Sequence, residues 1–348
     1  MLFLELDHTA QLGLLEHLAR AALAEHYADL AGPGLVLAVQ QYEDNAVWRA
    51  DTADGRTYVV RLSVRDGRTA AQQRAEMSWL SSLAATGTVP APVPVATTGG
   101  GHVVPVEVPG HDEPCTLAVL TWLPGAAEPP FRTPGVAQAM GAVTARLHEH
   151  SATVPLPGFD RPVWDGATVL QTGHALTDPT ARALLGPDGV DVLRRVTDRV
   201  VPVLAQGTDR GRVHGDLHRE NLLALPDGGV GMIDFDDCGT GPYLLDVATV
   251  LSSIHRLCRA DPDTYARFAR EFLTGYTSVR ALPADTVDVL DAYLVLRDGF
   301  VLNFVAAAVP GNDKVADWGP RRISGILADM YAHLDGAPYP GSLRDIRA

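Results

Sequence analysis

The 348-residue sequence predicts an α+β chain, with a small N-terminal lobe built on an antiparallel sheet and a larger, mainly helical C-terminal lobe. Three observations predict this class. The chain is too long for one small core. Its first third alternates helical spacing with short strand patterns, whereas the remainder is dominated by helical spacing. A Pro124-Gly125 turn separates the two patterns, so we place the lobes at residues 1–124 and 125–348.

The N-terminal lobe is predicted to combine two helices with a sheet. Residues 9–30 and 68–84 repeat apolar residues at helical spacing. Between them, LVLAVQQYEDNAVWRADTADGRTYVVRLSV has the pattern of three strands, with a hairpin turn at Asp54-Gly55. The runs VPVA and VVPVEV are predicted to pair with each other across residues 99–101. TLAVLTWLPG is predicted to be a buried strand that leads out of the lobe.

The C-terminal lobe begins with the helical pattern VAQAMGAVTARLHEHS, and helical patches continue to about residue 206. Residues 211–235 then predict a strand, a loop and a second strand, with a turn at residues 227–229. From about residue 243 to residue 335 the pattern is mostly helical. The polar loop within residues 211–235 is the exception in this lobe and is the candidate for chemistry.

Composition limits the classes of partner. The formal charge of −14 disfavours nucleic acid and anionic membranes, which require a basic surface. A solvated acidic surface is the simpler explanation of this charge, and a cationic substrate is the alternative. No stretch is apolar over a bilayer's thickness, and the N-terminus lacks a basic signal-peptide region. Three widely spaced cysteines indicate free thiols, and we predict a cytoplasmic protein.

Two short motifs carry the chemistry. The first, VHGDLHRENLL, contains His214, Asp216 and Asn221, and the second, IDFDD, contains Asp234. The motifs flank a predicted hairpin, which would bring these side chains to one point. Asn221 and Asp234 are suitable oxygen ligands for Mg²⁺. Asp216 would then be left to accept a proton from an attacking hydroxyl.

This division of labour is what phosphoryl transfer from ATP requires, since the metal neutralises the phosphates and a carboxylate orients the nucleophile. The spacing also matches the kinase catalytic loop and its metal-binding Asp-Phe. A polar turn followed by an acid at a strand end is the alternative explanation. Two such motifs in the correct order and on one hairpin favour the functional interpretation.

The stretches HGDLHRENLL, IDFDDCGTGPYLLDVATVL and LTWLPG resemble the aminoglycoside phosphotransferase/choline kinase family. YEDNAVWRA, YVVRLSVRDG and EMSWLSSL are similar to its branch containing stress response kinase A and type II homoserine kinase. The resemblance covers roughly residues 35 to 330. It implies a bilobal protein-kinase-like fold that binds ATP and Mg²⁺ in the cleft, with the phosphate acceptor over the C-terminal lobe.

The resemblance also implies roles for individual residues. Asp216 corresponds to the catalytic base, and Asn221 and Asp234 correspond to the Mg²⁺ ligands. His214 resembles the histidine that braces the loop, and Asp246 resembles the buried acid that anchors it. Asp236 occupies the position of a second acid, either near the metal or acceptor or without a direct role.

The nucleotide residues are expected in the N-terminal lobe. A kinase strand carries a cation for the non-transferred phosphates, paired with a helix glutamate. Here the candidates are Arg61 and Glu76, and the alternative for Arg61 is a surface position on an edge strand. QQYEDNAVW lacks the glycine-rich loop that usually covers the phosphates, although Asn45 could cap its turn. By position alone, the adenine should meet the backbone of Thr121, Trp122 and Leu123.

Two polar groups leave alternatives open, and a third is assigned no metal role. His218 either steadies the transferred phosphate as a cation, which makes it a candidate catalytic residue, or hydrogen-bonds within its loop. Arg297-Asp298 either lines the acceptor pocket or forms a buried ion pair between helices. His148-Glu149-His150 is not predicted to bind metal, because helix positions two apart do not share a face.

We therefore expect an ATP- and Mg²⁺-dependent phosphotransferase whose acceptor is a small-molecule hydroxyl, such as that of an amino-alcohol or an aminoglycoside-like antibiotic. The acidic charge favours a cationic acceptor. A Ser/Thr protein or peptide kinase is the second hypothesis, although no A-P-E segment follows Asp234. A non-catalytic nucleotide-binding scaffold is the third, and the presence of Asp216, Asn221 and Asp234 disfavours it.

Overall fold

Residues 3–42, 45–64, 68–127, 133–344 and 346 are described by a computed structural model. The chain forms two units: unit 1 runs to Pro124 and also includes Leu156–Arg161, and unit 2 contains Gly125–Pro155 and the chain from Pro162 onward. The sequence-based boundary assigned residues 156–161 to the C-terminal lobe. They belong with unit 1 because Phe159 packs edge-on against Trp79 at 5.7 Å. Arg161 also donates a hydrogen bond to the carbonyl of Gln72.

Unit 1 is built on an antiparallel sheet. Among the described residues the sheet has five strands in the order β1-β2-β3-β5-β4. The strands are β1 (Val36–Tyr42), β2 (Asn45–Asp51), β3 (Thr57–Ser63), β4 (Val104–Val106) and β5 (Cys115–Thr121). The predicted hairpin joins β2 to β3, with Gly55 at a φ of +83°. Trp48 and Leu62, fully buried on neighbouring strands, contribute to the core.

Two helices complete unit 1, α1 (His8–His26) and α2 (Ala70–Thr86). Asp7 caps the start of α1 by accepting the N–H of Ala10 at 2.8 Å. Thr69 and Gln72 form a reciprocal capping box at the start of α2. Gly87 ends α2 in the left-handed conformation at a φ of +62°. These local signals fix the ends of α2, whose Gln73 and Glu76 contact Arg61 on β3.

The predicted pairing of VPVA with VVPVEV is wrong. Both segments instead lie against β5: Pro94 bridges Leu120, and Val104 pairs with Leu117. Each segment contains a proline, which cannot donate a ladder hydrogen bond and therefore suits an edge position. β5 is the interior strand next to this edge, and its apolar run is buried on both faces.

Unit 2 is mainly helical. Its described helices are α3 (Val136–Thr153), α4 (His174–Thr177), α5 (Pro179–Leu204), α6 (Tyr243–Leu257), α7 (Pro262–Thr277), α8 (Thr286–Ala308) and α9 (Asp313–Leu334). A π-helical turn spans Gly166–Gln171. Glycines let α3 and α7 touch, because a Cβ on Gly141 would lie 1.9 Å from the carbonyl oxygen of Phe272.

Two short strand pairs interrupt the helices of unit 2. β6 (Arg210–Val213) pairs with β9 (Gly239–Pro242), and β7 (Leu222–Ala224) pairs with β8 (Val230–Met232). The sequence predicted the β7–β8 hairpin with its turn at residues 227–229. It did not predict β9, whose sequence GTGP has no strand pattern.

Within the described residues, no helix combines the length and the apolar character needed to cross a bilayer.

Candidate active site

The β7–β8 hairpin places the two sequence motifs side by side. Leu222 pairs with Met232, and the N–H of Ile233 donates to the carbonyl of Asn221 at 3.0 Å. Asn221 and Asp234 therefore lie at the same end of the hairpin. Asp216 belongs to this group as well, because its carbonyl accepts a hydrogen bond from the Asn221 side chain at 2.9 Å.

Asp246 on α6 anchors the loop that carries Asp216. Its two carboxylate oxygens accept the N–H groups of His214 at 2.8 Å and Gly215 at 2.9 Å. Asp246 is fully buried, which by itself raises the pKa of its carboxyl. The hydrogen bond from His148 and the nearby charges outweigh burial, so the pKa of Asp246 is lowered overall. A buried, ionised Asp246 thus fixes the backbone next to the candidate base.

His148 extends this anchor toward α7. Its Nε2 lies 3.1 Å from Asp246 and its Nδ1 lies 2.8 Å from the hydroxyl of Tyr276. The histidine is fully buried and stacks on Tyr243 at 4.6 Å. His148 therefore supports the loop from α3.

The loop turns at Gly215, which has a φ of +84°. A Cβ there would lie 2.3 Å from the carbonyl oxygen of Asp237. The indole N–H of Trp164 donates to the same carbonyl at 2.7 Å. Glycine is required at this position for both its backbone conformation and its lack of a side chain.

Asp216 is partly exposed and is held by an arginine. Nη2 of Arg297, on α8, donates to Asp216 Oδ1 at 2.6 Å. The Arg297 side chain is only 6% exposed, and its guanidinium lies over Phe300 at 5.0 Å. One oxygen of Asp216 is therefore fixed, while its other oxygen, Oδ2, lies 3.5 Å from His218.

The pair Arg297-Asp298 resolves into two separate contacts. Arg297 reaches the candidate base, as described above. Asp298 accepts hydrogen bonds from Arg322 at 2.8 Å and from the hydroxyl of Tyr339 at 2.9 Å. The bond to Arg322 joins α8 to α9, so the alternative of a helix-to-helix ion pair applies to Asp298 alone.

His218 is placed to act as a neutral hydrogen-bonding group. Burial lowers its pKa below the ordinary value, and Arg297 lowers it further, although the charge of Asp216 opposes both effects. Its Nδ1 accepts the N–H of Glu220 at 3.2 Å. This contact favours a ring proton on Nε2, which lies 3.5 Å from Asp216 Oδ2 and 3.4 Å from the amide nitrogen of Asn221. These contacts favour the loop hydrogen bond over a cation that steadies phosphate.

Asn221 and Asp234 offer hard oxygen donors of the kind that Mg²⁺ prefers. The Asn221 amide nitrogen is used by Asp216, and in the described part of the chain its Oδ1 accepts no hydrogen bond. Asp234 is exposed and has a φ of +63°, a conformation that is rare outside glycine. These oxygen donors would suit a divalent cation, which would neutralise charge on substrate phosphates. Among the described residues, no cluster of three His, Cys, Asp or Glu side chains could hold a metal alone.

Arg61 and Glu76 are brought together within unit 1. Arg61 Nη2, on β3, lies 2.6 Å from Glu76 Oε2 on α2, and it also donates to Gln73 Oε1 at 2.8 Å. Gln73 in turn donates to Ser63. The Arg61 side chain is 7% exposed and that of Glu76 is 1% exposed. Arg61 therefore occupies a buried network rather than the surface of an edge strand.

Of the three residues proposed for adenine, Thr121 ends β5, and Trp122 and Leu123 follow it directly. The N–H groups of Thr121 and Trp122 donate to the carbonyls of Val93 and Thr57. Within the described residues, the N–H of Leu123 donates to no other group. Of the three, Leu123 thus retains a free backbone donor. Glu43 and Asp44, where the sequence would place a glycine-rich loop, are outside the described residues.

Sequence patterns did not reveal the contact of Arg297 with Asp216, nor the support that His148 and Tyr276 give to Asp246. These residues lie 81, 98 and 128 positions from the partners they contact. A charged residue inside an apolar helix was the only signal for Arg297, and it could not identify the partner.

A model of the phosphotransferase enzyme family matches residues 36–282. An uncharacterized protein of Deinococcus radiodurans is 30% identical over 238 residues, which are 66% of this chain and 65% of that protein. The match thus spans slightly less than two thirds of that relative's length. The homoserine kinase of Acidiphilium cryptum is 27% identical over 258 residues, which are 70% of each chain.

Solved structures share the fold. A microcompartment-associated aminopropanol kinase is 24% identical with a TM-score of 0.75, and the match covers 94% of this chain and 100% of that one. An amicoumacin kinase in complex with AMP-PNP, Ca²⁺ and Ami is 21% identical with a TM-score of 0.71, covering 98% and 96%. At these identities the likeness concerns the fold alone. It confirms the predicted kinase-like α+β architecture.

Proposed function

The chain belongs to the phosphotransferase enzyme family, and on that premise we propose that it is an ATP- and Mg²⁺-dependent kinase of a small-molecule hydroxyl. The observation that carries this proposal is the grouping of Asp216, Asn221 and Asp234 at one end of the β7–β8 hairpin. A base and two oxygen ligands are the protein groups that in-line phosphoryl transfer needs in one place.

In the proposed reaction, Asp216 orients the acceptor hydroxyl and takes its proton. The hydroxyl oxygen bonds to the γ-phosphorus while the bond to the bridging oxygen breaks, and ADP leaves with that electron pair. Arg297 keeps Asp216 in position through the contact with Oδ1. His218 adds a neutral N–H facing Asp216, which suits a role in orientation.

Asn221 and Asp234 would hold Mg²⁺ on the nucleotide. When bound, the cation neutralises charge on the phosphate oxygens. Arg61 is proposed to bind the non-transferred phosphates, with Glu76 and Gln73 fixing its guanidinium. The Leu123 backbone is proposed to meet the adenine. A neighbour of the same fold solved with AMP-PNP and Ca²⁺ supports the use of a nucleotide and a divalent cation.

The acceptor is proposed to be a small amino-hydroxy compound. The similar proteins are named homoserine kinase, aminopropanol kinase and amicoumacin kinase, and the first two names denote molecules with both an amine and a hydroxyl. The net charge of −14 supports an acceptor with a cationic amine.

Acceptor-dependent ADP release tests the proposal. The protein is incubated with Mg-ATP and, separately, choline, L-homoserine, 3-amino-1-propanol, several aminoglycosides or a mixed Ser/Thr peptide pool. We expect ADP release above the acceptor-free control with at least one small molecule, and a phosphorylated product by mass spectrometry. Release with the peptides alone would instead assign a protein kinase. Nucleotide binding without release for any acceptor would favour a scaffold.

A further inference from the structure

An arginine without an acidic partner lies at the C-terminal end of α6, although the chain as a whole is acidic. Arg256 donates through Nη1 to the hydroxyl of Ser252 at 2.8 Å. In the described part of the chain, its Nε and Nη2 donate to no group. Burial lowers the pKa of Arg256 to about 10, and repulsion from Arg322 and Arg297 contributes, although the charge of Asp298 opposes both. The guanidinium nonetheless remains charged at neutral pH.

The arginines around Arg256 have carboxylate partners. Arg322 pairs with Asp298, Arg297 pairs with Asp216, and Arg259 pairs with Asp329. Among the described residues, Arg256 forms no such pair. A partly buried cation is costly to keep without an anion, because both desolvation and like charge oppose it. An anionic ligand would provide the missing partner.

Arg256 also lines a cavity that reaches the catalytic loop. The cavity has a volume of about 330 Å³ and is lined by His218, Arg219, Glu220, Ser253, Arg256 and Leu257. His218 Nε2 lies 3.5 Å from Asp216 Oδ2, so one wall of the cavity adjoins the candidate base. Glu220 is paired with Arg219 and does not neutralise Arg256. The volume suits a small metabolite.

We propose that this cavity is the acceptor subsite and that Arg256 binds a carboxylate of the acceptor, which makes the substrates hydroxy acids, including amino-hydroxy acids. The free Nε and Nη2 of Arg256 can donate to the two oxygens of one carboxylate. The inference rests on the proposed function, because the cavity serves an acceptor only if Asp216 receives its hydroxyl. In a zwitterionic acceptor, the ammonium group would be attracted by the acidic chain and the carboxylate would bind Arg256.

Three probes separate the contributions of the acceptor's groups. L-Homoserine carries the hydroxyl, amine and carboxylate; 3-amino-1-propanol is the same molecule without the carboxylate; and 4-hydroxybutanoate is the same molecule without the amine. Binding of each is measured by calorimetry to the full chain with Mg²⁺ and AMP-PNP. We expect both acids to bind at least about tenfold tighter than 3-amino-1-propanol, as a charge-assisted contact predicts.

Matched variants test the role of Arg256. Arg256→Gln is expected to bring the three affinities within about threefold of one another. Arg256→Lys keeps the charge and should retain part of the preference for the two acids over 3-amino-1-propanol. It therefore tests the role of the charge even if Arg256→Gln fails to fold. Arg259→Gln removes the same charge from a side chain that is 56% exposed and outside the cavity lining, and it should retain the full preference.

The inference is overturned if Arg256→Gln keeps the preference, if the amino-alcohol binds as tightly as the acids, or if neither acid binds. ADP release with Mg-ATP, measured in parallel, tests the proposed function separately. Tight acid binding without ADP release from any acceptor would contradict the kinase assignment and retain Arg256 as a carboxylate ligand. Equal ADP release from all three probes would retain the kinase and remove the carboxylate subsite.

Discussion

Each unit contains an arginine–carboxylate contact of 2.6 Å, and the two contacts differ in exposure. In unit 1, Arg61 and Glu76 are 7% and 1% exposed. In unit 2, Arg297 is 6% exposed, but Asp216 retains 22%. In the first pair both side chains are buried, and Glu76 fixes the position of the Arg61 guanidinium. In the second pair Arg297 fixes the position of the Asp216 carboxylate, which remains accessible to solvent. We therefore expect the first pair to govern stability and the second to govern activity.

Breaking the enclosed pair should have the largest effect on stability. Arg61→Met leaves the buried carboxyl of Glu76 without its cation, so we expect a loss of about 3–5 kcal/mol in the free energy of unfolding. Arg49→Met is the matched control on the neighbouring strand, because Arg49 is 44% exposed and should contribute at most about 1 kcal/mol. Urea unfolding of both variants measures the difference. Equal losses would refute the comparison.

Asp246 provides an intermediate case, since it is enclosed but supports the active loop. In Asp246→Asn the amide NH₂ must face a backbone N–H of His214 or Gly215, both of which donate to this side chain. We expect a loss of about 1–3 kcal/mol in the free energy of unfolding. Asp227→Asn, an exposed position in the β7–β8 turn, should change it by less than about 0.5 kcal/mol.

The same carboxylate predicts an acid dependence. The pKa of Asp246 is lower in the folded protein than in the unfolded chain, where it is about 3.9. As the pH falls through about 4, the unfolded chain binds the proton first, and the stability due to Asp246 is lost as the pH falls through its folded-state pKa. Between pH 6 and pH 3, the free energy of unfolding should therefore fall less steeply with decreasing pH in Asp246→Asn than in the unmodified protein. Parallel curves would contradict this.

Breaking the accessible pair should affect stability least. In Arg297→Met, Asp216 can be hydrated, and the substitution removes the buried Nε and Nη1 of Arg297, which have no hydrogen-bond partner among the described residues. We expect a change below about 1 kcal/mol in the free energy of unfolding. The kcat should nevertheless fall by about 10- to 100-fold, because Asp216 loses its fixed position. If Arg297→Met were strongly destabilised but fully active when folded, this pair would govern stability rather than activity.

The sequence predicted those parts of the site whose residues lie close together along the chain, and it missed the contacts made by residues from distant helices. Asp216, Asn221 and Asp234 flank one hairpin, and turn residues and strand patterns are sufficient to bring them together. Arg297 on α8 contacts Asp216, and Arg256 on α6 lines the cavity next to His218; no short-range pattern encodes such contacts. The edge of the sheet was mispredicted for a similar reason, since VPVA and VVPVEV each pair with β5 rather than with each other.

The most direct test of the central claim is the kcat of Asp216→Asn with the best acceptor from the panel. The substitution keeps the size of the side chain and removes the proton acceptor. We predict that kcat falls by about 10²- to 10⁴-fold while nucleotide affinity is unchanged, with Asp227→Asn close to the unmodified protein. If Asp216→Asn retains kcat within a few fold, Asp216 is not the base and the proposed reaction is contradicted.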